Sequence, residues 1–543
     1  MTVTAHVDTF ARDHLPPADQ WPEFVFDLPD LRFPARLNCA TELLDRAVER
    51  GWGERPAVRA PDGPRWTFAE LLAQANRIAR VLVEDLGLVP GNRVLLRAPN
   101  NPMHAACFFG VLKAGGIAVG SMPLLRAKEL TDIVTKAQIT HALCDARLAE
   151  ELAAARPQCP TLKTVVHFGD AAADGLDARM AGKAATFSDV PTAADDTCLI
   201  AFTSGTTGKP KGTMHFHRDI IATCRCFPLH TLKASPDDLF TGSPPLAFTF
   251  GLGGILLFPL SIGASTLLVE RPGPEALLGA VAQHRATVLF TAPTSYRAMA
   301  GQVKQYDVSS LRKCVSAGEA LPAATRALWK QATGIEIIDG IGSTELLNMF
   351  ISHDEAHAKP GAIGKPVPGY RACVMDENGK PLPPGKVGRL AVKGPTGCRY
   401  LADDRQRNYV KDGWNYTGDA FLMDADGCFV YQARTDDMII SAGYNIAGLE
   451  VEDALMAHPA VAECGVIGVP DEERGQIVKA FVVLRPGQVA GEAMASELQH
   501  FVKNTIAPYK YPRAVEFIDV LPRTQTGKLQ RFKLHELHRG QRR

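Results

Sequence analysis

The chain has 543 residues, which at roughly 150 residues per domain makes three or four domain-sized units. With 46% hydrophobic and 22% charged residues, its composition is that of a globular protein and excludes disordered and collagen-like chains. Lys plus Arg balances Asp plus Glu at 59 each, so no net field steers the molecule toward nucleic acid or an anionic membrane.

Residues 1–35 are rich in Pro and aromatics and carry charge throughout, without the apolar run of a secretory signal. They read as an arm packed on the rest of the protein. A helix follows Trp66: Thr67 and Glu70 form a capping box, and Leu71, Leu72, Ala75, Ile78, Ala79, Leu82 and Val83 keep helical spacing up to Gly87. Next, "NRVLLRAPN" reads as a buried strand, "HAACFFGVLKAGG" as a helix and "IAVGSMP" as a strand. The alternation recurs through "THALCD", "TVVHFG", "ASTLLVE", "ATVLFTAP", "LRKCVSAG" and "IEIIDGIG". Short apolar runs alternating with helices predict parallel sheets covered on both faces. Residues 239–269 carry no charge and are long enough to span a bilayer. Gly251, Gly253, Gly254, Pro259 and Gly263 interrupt them, and neither flank has a Lys/Arg cluster, so they read as a buried element. The 12 Cys form no C-x-x-C pair and read as free, mostly buried thiols of a reducing compartment.

After about residue 360 the composition turns to Gly, Pro and short β-rich runs, predicting a small antiparallel barrel or meander up to 434. Residues 435–543 mix helices and strands and are long enough to bury a core of their own. The predicted fold is thus α/β. A large N-terminal domain, 1–434, has layered, mostly parallel sheets and a small β-barrel subdomain. A small α+β domain follows.

Thr203, Ser204, Gly205, Thr206, Thr207, Gly208, Lys209, Pro210, Lys211 and Gly212 follow the apolar strand "CLIAF". Glycines let backbone N–H groups approach an anion, hydroxyls add donors, and the lysines add charge. This is polyphosphate chemistry, but not that of a Walker A loop. Gly205 and Gly208 enclose only two residues, and Pro210 follows Lys209 where Ser or Thr would open a helix. His215 and His217, at i and i+2, would share one face of a strand and could pair on a metal. No Cys or further His stands close by in sequence to complete such a site.

The stretch from Thr203 to Gly212 resembles the phosphate loop of the adenylate-forming superfamily of acyl- and aryl-CoA synthetases, luciferases and adenylation domains. "GSTE" at 342–345 is similar to its adenine and magnesium segment, and "YTGD" at 416–419 to its ribose segment. "RTDDMIISAGYNIAGLEVE" at 434–452 is similar to its hinge and pantetheine-side loop, and "PRTQTGKLQR" at 522–531 to its catalytic-lysine segment. All five stand in the family's order. The resemblance implies ATP, Mg²⁺ and coenzyme A as cofactor and co-substrates. It places the phosphates on Thr203, Ser204, Gly205, Thr206, Thr207, Gly208 and Lys211, with Thr344 donating to the α-phosphate and Glu345 holding Mg²⁺. Adenine would lie by Asp339, Gly340 and Ile341, and ribose on Asp419 and Arg434.

The resemblance also implies that Lys528 reaches the reacting carboxylate and α-phosphate. The mobile C-terminal domain would turn about a hinge at Asp436, bringing Ser441, Ala442 and Gly443 to the CoA channel. Phe248 stands where many acyl-CoA synthetases carry a His, which resembles aryl-CoA ligases of the benzoate and 2-aminobenzoate type. By the same analogy Ala292, Tyr296, Ser316, Gly318, Gly340 and Ile341 line the acid pocket, with Tyr296 donating to an ortho substituent. The expected activity is a two-step aryl-acid:CoA ligase acting on 2-aminobenzoate or benzoate through acyl-AMP. The alternatives are an adenylation enzyme loading a carrier-protein thiol, and a non-catalytic acyl or nucleotide sensor. A cytoplasmic monomer or homodimer without nucleic-acid or membrane partners is expected.

Overall fold

A computed structural model describes residues 4–203, 210–441, 444–471, 474–506, 508–524 and 527–540. Its first sheet runs, in spatial order, Thr164–Phe168, His141–Asp145, Arg93–Arg97, Ile117–Ser121, Thr197–Thr203, Lys211–Phe216. All pairs are parallel except the last, an antiparallel pair in register Thr203↔Lys211. The second sheet has a parallel centre: Ile337–Gly342, Lys313–Ser316, Val288–Thr291, Leu239–Gly242, Ser265–Leu267, Pro56–Arg59. Antiparallel strands close its edges, Met349–Ser352 and Lys365–Pro366 on one side and Arg65–Thr67 on the other.

Period-two alternation explains the layering. Val94 and Leu96 of the first sheet, and Val288 and Phe290 of the second, enter one shared core with Phe108 and Leu112 of the helix Pro102–Lys113. Their neighbours point the other way. Leu95, Val119, Cys144 and Ile200 pack on Ile133, Val134 and Leu152. Leu289, Leu267, Cys314 and Ile337 pack on Leu277, Val281 and Trp329. Both faces of both sheets are therefore buried, as continuous apolar strands require.

The capping box forms: Thr67 Oγ1 accepts Glu70 N–H at 3.2 Å, and Glu70 Oε2 accepts Thr67 N–H at 2.8 Å. The helix Phe68–Arg80 runs on through the π-turn Val81–Asp85, two residues short of Gly87. The uncharged segment 239–269 folds as two strands around short helical turns, with Ile255, Leu256, Leu257 and Phe258 fully buried. Among the described residues no helix is long and apolar enough to cross a membrane. The 12 cysteines are free thiols, all buried but Cys373.

The arm docks through Val7 N–H on Pro90 O at 2.9 Å, Glu23 N–H on Gly413 O at 2.9 Å and Val25 N–H on Gly394 O at 3.0 Å. The latter two acceptors belong to the β-rich region. This region is a five-stranded antiparallel sheet of Arg371–Met375, Val387–Lys393, Val410–Lys411, Trp414–Met423 and Phe429–Arg434. Further on, Val461–Asp471, Gly475–Leu484 and Ala514–Phe517 form a three-stranded sheet. The helices Gly448–Met456 and Glu492–Thr505 cover it, with Val451, Leu455, Leu498 and Val502 in its core.

Candidate active site

A cleft of about 2820 Å³ opens where strand ends of both large sheets meet the β-rich region and the C-terminal residues. Thr203 and Lys211 line it from the two antiparallel strands. The residues between them, Ser204, Gly205, Thr206, Thr207 and Gly208 among them, lie outside the described residues. Thr203 Oγ1 is buried and has no partner among the described residues. Lys211 Nζ donates to the Tyr400 hydroxyl at 3.1 Å and lies 3.8 Å from Glu345 Oε1, and the Tyr400 hydroxyl donates to that same Glu345 oxygen. Lys211, Tyr400 and Glu345 thus form one network on the cleft wall.

Thr344 and Glu345 sit in the turn after Ile337–Gly342. His215, fully buried in the strand Lys211–Phe216 of the first sheet, holds this turn through Nε2 on Thr344 O at 2.8 Å. His217 is the first residue of the helix His217–Cys226 and is also fully buried, so the two rings do not share a site on one strand face.

Asp419 and Arg434 are cross-strand partners of a hairpin, with Arg434 Nη1 3.0 Å from Asp419 Oδ1. Burial pushes the Asp419 carboxyl up and the guanidinium opposes it. Gly418, at φ +77°, gives that guanidinium its seat: a Cβ there would stand 2.7 Å from Arg434 Nη2. Asp339, Gly340 and Ile341 line the cleft. Burial raises the Asp339 carboxyl to about 7 against the opposing charge of Arg326. Its Oδ1 has no partner among the described residues.

Lys528 enters from the C-terminal side. Its N–H donates to Thr524 Oγ1 at 3.0 Å and its carbonyl accepts Thr524 N–H at 2.7 Å, closing the loop. A Cβ on Gly318 (φ +91°) would lie 3.9 Å from Lys528 Cε, and one on Gly527 would lie 3.3 Å from Glu319 Oε1. Burial lowers the lysine's pKa, while Glu319, Asp419 and Glu345 raise it and Arg434 lowers it. Across the same gap Arg297 Nη2 donates to Ala462 O at 3.2 Å.

Phe248, Ala292 and Gly318 also line the cleft. Tyr296 and Ser316 do not, which corrects the expected acid pocket. Tyr296 is fully buried against Trp329, and its hydroxyl lies 2.9 Å from Leu289 O and 3.1 Å from Val315 O. Ser316 is fully buried within its strand. Tyr296→Phe is expected to cost about 1 kcal/mol of stability. It should leave the acid preference unchanged, as chemical denaturation and a substrate series would check. Ser441 is buried, 3.4 Å from Arg474 Nε, and does not line the cleft in this pose. Ala442 and Gly443 lie outside the described residues, as does the side chain of Asp436 in the turn Thr435–Asp437. Tyr400 and Glu319 also line the cleft; no local sequence pattern marks either, and each reaches it only by the fold.

Glu345 offers one carboxylate, 7% exposed, whose second oxygen has no part in the Tyr400 and Lys211 contacts. One or two carboxylates beside phosphate oxygens are what Mg²⁺ takes, so this residue fits the expected ion.

Comparison with known proteins agrees with this geometry. Residues 44–400 match the AMP-binding enzyme family, and residues 450–528 match the AMP-binding enzyme C-terminal domain. The benzoate–CoA ligase of Thauera aromatica is 37% identical over 513 residues, covering 93% of this chain and 97% of its own. The structure of the anthranilate CoA ligase AuaEII in complex with anthranoyl-AMP is 35% identical, with a TM-score of 0.87 over 93% of this chain and 98% of that one. A benzoate CoA ligase from Burkholderia xenovorans is 32% identical, with a TM-score of 0.84 over 92% and 99%. The chain belongs to the AMP-binding, adenylate-forming enzyme family. It is an AMP-forming acid–CoA ligase.

Proposed function

We propose that the protein joins an aryl carboxylic acid, 2-aminobenzoate or benzoate, to coenzyme A through an acyl-AMP intermediate. The observation that carries the reading is Lys528 in one cleft with the Asp419–Arg434 pair, the Lys211–Tyr400–Glu345 network and Phe248. The named aryl ligases at 32–37% identity support the aryl class.

In the first step a carboxylate oxygen of the acid attacks the α-phosphorus of ATP and pyrophosphate leaves. Thr203 and Lys211, with the loop between them, would hold the departing phosphates, and Asp419 would accept from the ribose hydroxyls. Adenine would lie by Asp339, Gly340 and Ile341. Thr344 would donate to the α-phosphate. Lys528 would offset the negative charge that grows on the α-phosphate as the bond forms, an effect greatest in a water-poor cleft. Mg²⁺, held by Glu345, would screen the phosphate oxygens. In the second step the CoA thiol attacks the acyl carbon and AMP leaves. For this the C-terminal residues would turn at Asp436 and bring the backbone of Ser441, Ala442 and Gly443 to the thiol's path. Phe248, Gly318, Ala292, Gly340 and Ile341 would frame the ring.

Glu319 adds a pH dependence. Burial raises its carboxyl to about 7, so at higher pH it is an anion facing Lys528. Above that pH its charge favours the charged form of Lys528, which burial disfavours. In Glu319→Gln that support is gone, so the alkaline loss of adenylation should begin at lower pH than in the wild type, and the variant should be slower several-fold at pH 8. Pyrophosphate release followed across pH checks this; an unchanged profile in the variant would refute it.

The reading is tested by pyrophosphate release over 2-aminobenzoate, benzoate, salicylate, cinnamate and octanoate, with and without CoA. An aryl acid should lead, with an aryl-CoA product only when CoA is present. Preference for octanoate would overturn the aryl assignment, and adenylate that never passes to CoA would overturn the acceptor.

A further inference from the structure

Outside the cleft, three donor side chains converge in the core. Cys39 stands just ahead of the helical turn Thr41–Asp45, Cys198 lies in the strand Thr197–Thr203, and His217 opens the helix His217–Cys226. All three are fully buried, and their ligand atoms lie within 4.8 Å of one another. His217 Nδ1 accepts the Cys39 backbone N–H at 3.1 Å and is 3.2 Å from Cys39 Sγ, a contact it would exchange for a metal, while its Nε2 is buried with no partner among the described residues. A second buried imidazole, His6, has His217 among its electrostatic neighbours, and its Nε2 likewise has no partner among the described residues.

We propose that Cys39, Cys198 and His217 supply three of the four ligands of a buried zinc site, with a water as the fourth. Zn–S bonds of ~2.3 Å and Zn–N bonds of ~2.1 Å at tetrahedral angles set donor atoms about 3.5–3.8 Å apart. The spacing found here, 3.2 Å for one pair and below 4.8 Å for all, closes on that geometry with side-chain shifts of ångström size. Soft thiolates and imidazole select a thiophilic cation over Mg²⁺. Two thiolates balance Zn²⁺, so the filled site carries no net charge in a dry core, where an uncompensated charge is expensive. The site would tie the N-terminal segment to the strand that ends at Thr203, at the entry to the phosphate loop. An ion bound only by the folded state stabilises it.

The test uses the full-length protein, stripped with a chelator and dialysed against ZnCl₂ or CoCl₂. Elemental analysis should find one zinc per chain. Cobalt should give thiolate-to-metal charge-transfer bands, and zinc should raise Tm. Cys198→Ala should lose all three effects, whereas Cys107→Ala, a buried thiol elsewhere, should keep them. Because the cobalt spectrum is read on the wild type, the test stands even if Cys198→Ala fails to fold. Substoichiometric zinc in folded wild type, or cobalt without thiolate bands, would overturn the site. So would peroxide oxidation of Cys39 and Cys198 to a disulfide at the same rate with and without zinc, since bound thiolates would be protected.

Discussion

Lys528→Ala is expected to slow acyl-adenylate formation about 10²–10³-fold and to leave thioester formation from a supplied acyl-adenylate within about threefold of wild type. The size follows from what the side chain does: a preorganised cation at the place where phosphate charge grows is worth about 3–4 kcal/mol in the transition state. The side chain stands in the cleft where that contribution would be made. Lys528 Cε lies beside Gly318, Gly527 packs over Glu319, and the charges of Glu319, Asp419 and Glu345 favour the ammonium form. Substitution removes no core packing, so stability should stay near wild type. The two half-reactions, measured separately by pyrophosphate release and by CoA consumption, give the answer. An equal loss in both would mean that the lysine holds the fold of the cleft or binds CoA, and the assignment would fail.

Asp219→Ala is expected to destabilise the protein by about 3–5 kcal/mol. Asp219 and Arg399 are both fully buried and ion-paired. Asp219 Oδ2 also accepts Phe216 N–H at 2.9 Å, and Arg399 Nε donates to Met214 O at 3.2 Å with its guanidinium 3.9 Å from the Phe216 ring centroid. The pair therefore joins the β-rich side to the strand Lys211–Phe216, which supplies Lys211 to the cleft. Burial disfavours the Arg399 charge, so a guanidinium stripped of its carboxylate is the costly outcome. Asp219→Ala/Arg399→Met should recover much of the loss, because the uncompensated charge has gone. Denaturant unfolding of the three proteins measures this. A single variant within about 1 kcal/mol of wild type would show that the pair contributes little.

Much of this architecture could be read from residues because the relevant signals are local. Val94, Leu95 and Leu96 are apolar in succession because both faces of their strand are covered. Thr67 and Glu70 marked a helix start through a geometry that needs only four residues. The antiparallel, β-rich character of the region before residue 434 was legible too, but the pairing of Asp419 with Arg434 depends on the register of Trp414–Met423 with Phe429–Arg434. Long-range meetings left no such trace. Tyr296 has the same side chain whether its hydroxyl faces a ligand or two core carbonyls, and only the fold separates the two. Tyr400 reaches Lys211 from 189 positions away, and His215 reaches Thr344 from 129. His217 gave an incomplete metal set in sequence because its sulfur neighbours, Cys39 and Cys198, are distant along the chain.

The central claim is that one cleft makes an acyl-adenylate and then discharges it onto CoA. A rapid-quench single turnover tests it most directly, with enzyme in excess over 2-aminobenzoate, ATP present and CoA withheld and then added. The account predicts one pyrophosphate and one enzyme-bound aryl-AMP per acid before CoA, and conversion of that adenylate to aryl-CoA and AMP afterwards. Release of ADP and phosphate in place of pyrophosphate, or aryl-CoA formed without passage through the adenylate, would contradict it.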